Sequence, residues 1–479
     1  MASGTWQPSD KPKRPGFYMR FIAAALARIQ PGARGIVAMP VKANWGPKKQ
    51  VVEITSEKDL TDILGTDTEG SFTAYTCVRL CLLGQPKTIL VYSLSDGSEQ
   101  QASIILKDTN VASVDVLRLK TKHPTARNFK VTVMTNILDE NKHDIVLFEG
   151  SKQLFVYTFK KGTDMVDNAL AAINDNKDNE WLVAEKIIAG NGTLEAVSSQ
   201  NLTSGNAGVT NITNTDYVNA MTALESRLFH GFTLDGVTDA SLLSSAKAWV
   251  ERLRSEGKKI IGYFGSDATT DEDINNAITR SKAWNYEGIV NVGVSGELDG
   301  AWYPSALVAC WVAGKGTGQA LKESLTYAVA PFTDVSPRLT HNQVVAALAA
   351  GVLVLVHDGE KAVIEQGINT LSSLREGTDN QWKKVKVIRI IDAIDMDTAK
   401  AGYDSYIGKV LNNDDGQTAV LTAIKKYFET LVPNLLDPAF TVEADADLQQ
   451  NAENDEFFWK YSAKIIDSME KIYGTGYLR

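Results

Sequence analysis

The sequence has no uninterrupted apolar run of about twenty residues, the length needed to cross a bilayer's hydrocarbon core, so no membrane-spanning helix and no membrane insertion are expected. The nearest imitation is Phe21–Ala27 behind several basic residues. Arg28 cuts it after seven residues, too soon for a secretory leader. Cysteine is scarce and odd in number. Cys77 and Cys81 lie four apart in the apolar stretch AYTCVRLCLLG, a helical spacing that points both at a core, and with Cys310 they cannot build a disulfide framework. The five histidines (His123, His143, His230, His341, His357) are scattered, with no His-x-x-x-His or Cys-x-x-Cys pair, so no metal is expected. Gly-Lys-Ser/Thr, which would close a phosphate-binding loop, is missing, and so is Gly-x-Ser-x-Gly. GKGTGQ (314–319) has alternating Gly314, Gly316 and Gly318 after a helix-like segment. That is not the strand-to-helix setting of a dinucleotide fingerprint, and the motif reads as a tight connection. No catalytic residue and no cofactor is expected.

What is present describes a foldable chain of several domains: 479 residues, 44% hydrophobic and 22% charged. The net charge of −9 is unevenly spread. Residues 1–50 hold nine basic residues against one acid, Asp10, a local +8 that leaves −17 on the other 429. Asp437–Glu456 holds seven acids and no Lys or Arg. A basic head and an acidic stretch near the other end could steer copies together head to tail. The acidic remainder argues against direct nucleic-acid binding.

Period and punctuation divide the chain. Residues 1–20 are rich in Pro, Gly and charge and read as an extended arm, with Phe17, Met19 and Phe21 in period-two alternation suited to adding a strand to another sheet. Residues 21–97 open an α/β layer: strands in GIVAMPVKANWG, QVVEITSEK and KTILVYSL, with helices at Ser56–Leu64 and Thr73–Leu83. Residues 98–215 read as an inserted β-rich domain, with strands at 114–120, 129–136, 143–149 and 153–159, a Gly150-Ser151 hairpin and a helix at Asp164–Asn174. Residues 216–376 return to α/β rhythm. LFHGFTLDG, KKIIGYFG and EGIVNVGV recur at about thirty-residue spacing with helices between them, which predicts parallel crossover units. There Thr270-x-x-Asp273 and Thr340-x-x-Gln343 read as helix starts, and Asp358-Gly359 as a hairpin turn that makes the sheet mixed. Residues 377–455 form an α+β portion, with VKVIRIID as a strand and helices at Asp397–Leu411 and Gln417–Val432. Residues 456–479 end the chain as a strand or arm, with Phe457, Trp459, Tyr461, Ala463 and Ile465 on its buried side. The fold class is therefore α/β multidomain: a mixed sheet with parallel βαβ units and flanking helices, an inserted β-rich domain, and a C-terminal α+β domain with extended arms.

Several segments carry a family resemblance. WYPSALVACWVAGKGTGQALKESLTY, LTHNQ, AGVLVL and GINTLSS, all between Trp302 and Leu374, resemble the core of contractile phage tail sheath proteins. RPGFY resembles the PGVY-type element that opens many of them, and the late IIDSMEKIY resembles their C-terminus. LKTKHPTARNFKVTV resembles an element of their insertion domain, departing from it around Ala126 and Phe129. The likeness is nearest to the short, defective-prophage or bacteriocin type.

The resemblance implies a structural subunit of a virion tail or phage-tail-like particle, assembled in the bacterial cytoplasm. It implies a homo-oligomer: stacked hexameric rings in a helical sheath around a tail tube protein, bounded by baseplate and tail terminator proteins, contracting to drive the tube through a target envelope. Strands from neighbouring subunits' arms would share one sheet, through Phe17, Met19 and Phe21 at one end and Phe457, Trp459, Tyr461 and Ile465 at the other. Tube contact falls to TAVLTAIKKYFETLV, with Lys425, Lys426 and Glu429. The alternatives are an α/β enzyme binding a nucleotide or small ligand at strand ends after Asp235, Gly265 or Val294, and an adhesin built on the inserted domain.

Overall fold

The computed structural model describes residues 2–4, 13, 16–18 and 29–478. Phe17 lies in the short strand Gly16–Tyr18, paired in parallel with Ala2–Gly4. Met19 and Phe21 fall outside the described residues.

Val37, Met39 and Val41 point to one side of their strand and Ala38 to the other, as period two requires, and both sides are buried. Ile36–Val41 is accordingly an inner strand of a seven-stranded sheet. The sheet runs Val352–Leu353, Ile289–Val292, Ile261–Phe264, Gly231–Thr233, Ile36–Val41, Thr88–Ser93, Val51–Ile54. The first six are parallel, which bears out the crossover units, and Val51–Ile54 is antiparallel at one edge. The sheet is mixed, but not for the reason the sequence suggested. The Asp358-Gly359 hairpin does form, joining Leu355–His357 to Ala362–Ile364, yet it stands apart as its own two-stranded sheet.

One face of the sheet is covered by the core helix Ser305–Gly318 and by Ala74–Leu83; the other is covered by Asn214–Leu224 and Ala240–Ser255. GKGTGQ is not a connection. Gly314, Gly316 and Gly318 are the last turns of the core helix, placed where any side chain would collide. A Cβ on Gly314 would lie 2.1 Å from the Cys81 carbonyl oxygen, and one on Gly84 would lie 2.2 Å from the Lys315 nitrogen. These glycines let two helix backbones touch, which outweighs their poor helix propensity. Thr340 and Gln343 form the expected capping box. Thr270 does not cap the next helix: its hydroxyl donates to Asp267, and Asp273 caps Ile274–Trp284.

The inserted β-rich region packs two sheets around one core. One is ordered Lys152–Lys160, Lys142–Glu149, Phe129–Thr135, Val197–Asn201; the other Leu182–Lys186, Asp115–Thr121, Ser103–Lys107. The hairpin at Gly150 is present, with Lys152 opposite Glu149. Trp45, from the α/β body, inserts into this core beside Phe129 and Trp181, with ring centroids 5.7 and 5.4 Å away. Arg127 lies against the three rings and is held by Glu149 through hydrogen bonds of 2.6 and 2.7 Å.

VKVIRIID is helical, the first turns of a linking helix, Val385–Ala401. Its β-branched residues favour a strand locally. Burial on two sides decides otherwise: Val385 and Ile388 join the body's core, while Ile390 and Ile394 join a separate C-terminal core with Tyr427 and Phe428.

Candidate functional site

The terminal helix Asp414–Leu431 starts at Asn413, whose side chain accepts from the Gly416 N–H, with Asp414 and Asp415 favourably placed in the first turn. It buries Ala423, Ile424, Tyr427, Phe428 and Leu431 and leaves Lys425, Lys426 and Glu429 exposed.

Against this helix lies a ribbon, Thr441–Ala444 antiparallel to Trp459–Ser462, with Val442 opposite Tyr461 and Ala444 opposite Trp459. Among the described residues no third strand flanks either one. Tyr461 meets Phe428 edge-on at 5.0 Å and stacks with Trp459 at 5.9 Å. Trp459, Ala463 and Ile465 are half-buried against the C-terminal core. Phe457, also half-buried, lines a groove of about 510 Å³ with Ile407, Val410, Leu411 and Val420. The structure thus brings Phe457, Trp459, Tyr461 and Ile465 to one region and puts Lys425, Lys426 and Glu429 on the outer side of the adjoining helix.

Beyond the ribbon the chain is clipped to its own body. The Ile466 N–H donates to the Leu435 carbonyl at 2.9 Å. Lys384 pairs with Asp467 and, at 2.9 Å, with Glu470; Lys386 Nζ donates to Ser468 at 3.0 Å. Glu470 also accepts from the Thr326 hydroxyl at 2.8 Å and from Gln366 at 3.1 Å. Burial works against the Lys384 ammonium, but the two carboxylates more than offset it and raise its pKa. Residues 465–470, the first part of IIDSMEKIY, therefore fold back as a latch, which sequence reasoning treated only as part of an arm. The i, i+3 acids Asp467 and Glu470 were its one visible signal. Past the latch, residues 471–478 are all exposed, among them Ile472, Tyr473, Tyr477 and Leu478.

The strand ends where an α/β enzyme would place a ligand are filled by protein. The order reverses between Gly231–Thr233 and Ile36–Val41. Just beyond, Asp235 accepts from Tyr217 and Thr73 hydroxyls at 2.7 Å each, with Lys42 Nζ 3.6 Å away. A Cβ on Gly265 would lie 2.2 Å from the Ser305 carbonyl carbon, and Val294 is fully buried. Asp271 accepts from the Ser305 N–H and hydroxyl (2.6 Å each) and from Ser295 (2.8 Å), fixing the start of the core helix. Burial raises its pKa while these hydrogen bonds pull it down. The three cysteines are free and buried; hydrogen bonding to Cys310 and burial raise the Cys77 thiol, and burial raises Cys81. Among the described residues no three His, Cys, Asp or Glu cluster as metal ligands would, and no helix is long and apolar enough to cross a membrane.

Four family models match: the phage tail sheath protein central domain over 210–370, the sheath C-terminal domain over 377–479, the sheath β-sandwich domain over 95–241, and the N-terminal region of tail sheath domain III over 34–77. The chain belongs to the phage tail sheath family. The chain is 27% identical to the phage-like element PBSX protein XkdK of Bacillus subtilis, over 99% of each chain. A sheath tail protein from Desulfitobacterium hafniense is 26% identical, with a TM-score of 0.71 over 94% of this chain and 100% of that one. The contracted helical sheath of the anti-feeding prophage shares the fold at 13% identity, with a TM-score of 0.54 over 98% and 99% of the two chains. The matched domains assign this protein a structural role in a tail or tail-like particle.

Proposed function

We propose that the chain is the repeating subunit of a contractile sheath, stacked as six-copy rings around an inner tube, which shortens to drive that tube through a cell envelope. The terminal ribbon carries this reading. A two-stranded sheet with open edges offers backbone N–H and C=O groups to another strand. A neighbour's arm, including Phe17, Met19 and Phe21, would add there beside the strand holding Trp459 and Tyr461, with Phe457 and Ile465 packing the flanks. Main-chain hydrogen bonds would keep subunits linked while their bodies move. The exposed 471–478 tail supplies further apolar surface for a neighbour.

Lys425, Lys426 and Glu429 would face complementary charges on a tube protein, and baseplate and terminator proteins would close the two ends of the polymer. Assembly in the bacterial cytoplasm would store the energy for contraction in the extended state, so no nucleotide is needed. Subunit expressed with its tube protein should form long striated tubes by negative-stain microscopy. Deleting 471–479, which spares the latch, should stop or shorten them, and deleting 1–20 should do the same. A solitary particle that never stacks on a tube would overturn the proposal.

A further inference from the structure

The segment entering the body and the segment leaving it are fastened to opposite ends of one helix. On the way in, the Gly32 N–H donates to Asp397 at 2.9 Å, and Arg34 pairs with the same buried carboxylate. Asp397 also accepts from the Tyr427 hydroxyl at 2.6 Å. Just before, Ile29 is buried in the C-terminal core with Ile390, Ile394 and Ile424. On the way out, Lys384 and Lys386 hold Asp467, Ser468 and Glu470. Lys384 stands at the start of the linking helix Val385–Ala401 and Asp397 near its end, so the two fastenings lie about 20 Å apart along it, at about 1.5 Å per residue.

The helix between them cannot slide. Val385 and Ile388 sit in the body's core, Ile390 and Ile394 sit in the C-terminal core, and Asp392 binds Arg254 with both oxygens. A pull on one fastening therefore reaches the other through a packed helix rather than through a loop.

The latch also limits slack. Beyond Glu470 the described residues 471–478 can reach at most about 26–29 Å. With Asp467–Glu470 released, the last backbone attachment among the described residues would be the Ile466 N–H on the Leu435 carbonyl. The tail would then gain about 13–14 Å of free travel. A neighbour gripping that tail could shift by this distance before any tension reached the subunit. Longer tethers also lower the effective concentration of a segment at its docking site.

We propose that Lys384, Lys386 and Asp397 are positioning residues for the sheath: they hold both arm roots on the linking helix, so that movement of one neighbour passes to the next without slack. This rests on the contractile-sheath reading above. These residues act through the arms they hold, not through contact with the tube.

Lys384→Gln combined with Lys386→Gln tests this, because it frees one root and leaves every residue of the tail unchanged. In the isolated full-length variant, hydrogen exchange across 465–470 should speed up by about tenfold while the melting temperature stays close to wild type. Expressed with the tube protein and made to contract with urea, wild-type sheaths should shorten from end to end. Variant sheaths should lose that coupling and show extended and contracted stretches side by side. A folded variant that builds no tubes also supports the proposal, since no tail residue was altered. Variant sheaths that contract as wild type does, despite faster exchange, would overturn this inference and leave the sheath reading standing. Wild-type subunits that never build tubes would remove both. If the variant does not fold, or its exchange is unchanged, images of wild-type sheaths in the two states decide. Both roots should still lie on Asp397 and Lys384 in each state, and a root detached in either one would overturn the proposal.

Discussion

Arg254 and Asp392 stand 138 positions apart in sequence and meet through two parallel hydrogen bonds, 2.7 and 2.8 Å, with both side chains buried. The pair joins Ala240–Ser255 of the body to the linking helix. Burial pushes the Asp392 carboxyl up and works against the guanidinium, but the charge and hydrogen bonds of Asp392 more than restore Arg254, which lies above its ordinary value. Asp392→Ala strands a buried guanidinium and should cost about 3–5 kcal/mol, whereas an apolar double replacement, Arg254→Met with Asp392→Leu, should cost far less. Urea unfolding of the isolated subunit reads both. Equal losses in the two variants would mean that the pair's charges are not what matters.

Trp45 is the body's largest intrusion into the inserted domain. Trp45→Ala should cost about 3–5 kcal/mol, because it leaves a void among Phe129, Trp181 and the Arg127 stem. The loss should be local. Hydrogen exchange should speed up in 103–201 while the core helix stays protected.

Gly314→Ala should destabilise severely, since the new methyl would overlap the Cys81 carbonyl and force two helices apart. Gly474→Ala, whose Cβ meets nothing within 4 Å, should leave the melting temperature unchanged. A harmless Gly314→Ala would show that the helices do not pack at backbone contact.

Burial, with Lys122 and Lys48 nearby, lowers the His123 pKa to about 4, against about 6.5 in an unfolded chain. The unfolded state therefore binds more protons across that interval. His123 contributes stability that is full above about pH 6.5 and is lost as pH falls toward about 4. His230 adds a loss of the same sign. Denaturation midpoints from pH 7 to pH 4 should fall less steeply in His123→Gln, and a slope identical to wild type would contradict the assignment.

Much of the fold could be read locally. The hairpin at Gly150 and the capping box at Thr340 each depend on a few neighbouring residues, so the sequence named them correctly. Val197–Asn201 was missed because VSSQN is polar and mostly exposed and has no apolar alternation to announce it. The latch at Asp467 and Glu470 was missed because its partners, Lys384, Thr326 and Gln366, lie more than eighty residues away.

Period and turn chemistry by themselves determined the parallel units, most helix ends and the alternating faces, because those follow from contacts between near neighbours. Only the tertiary structure decided that VKVIRIID is a helix and that three alternating glycines lie where Cys81, Tyr263 and Gln85 leave no room for a side chain. Each of these turns on which distant segment lies opposite, and burial free energy at such contacts exceeds the small conformational preferences a local stretch can express.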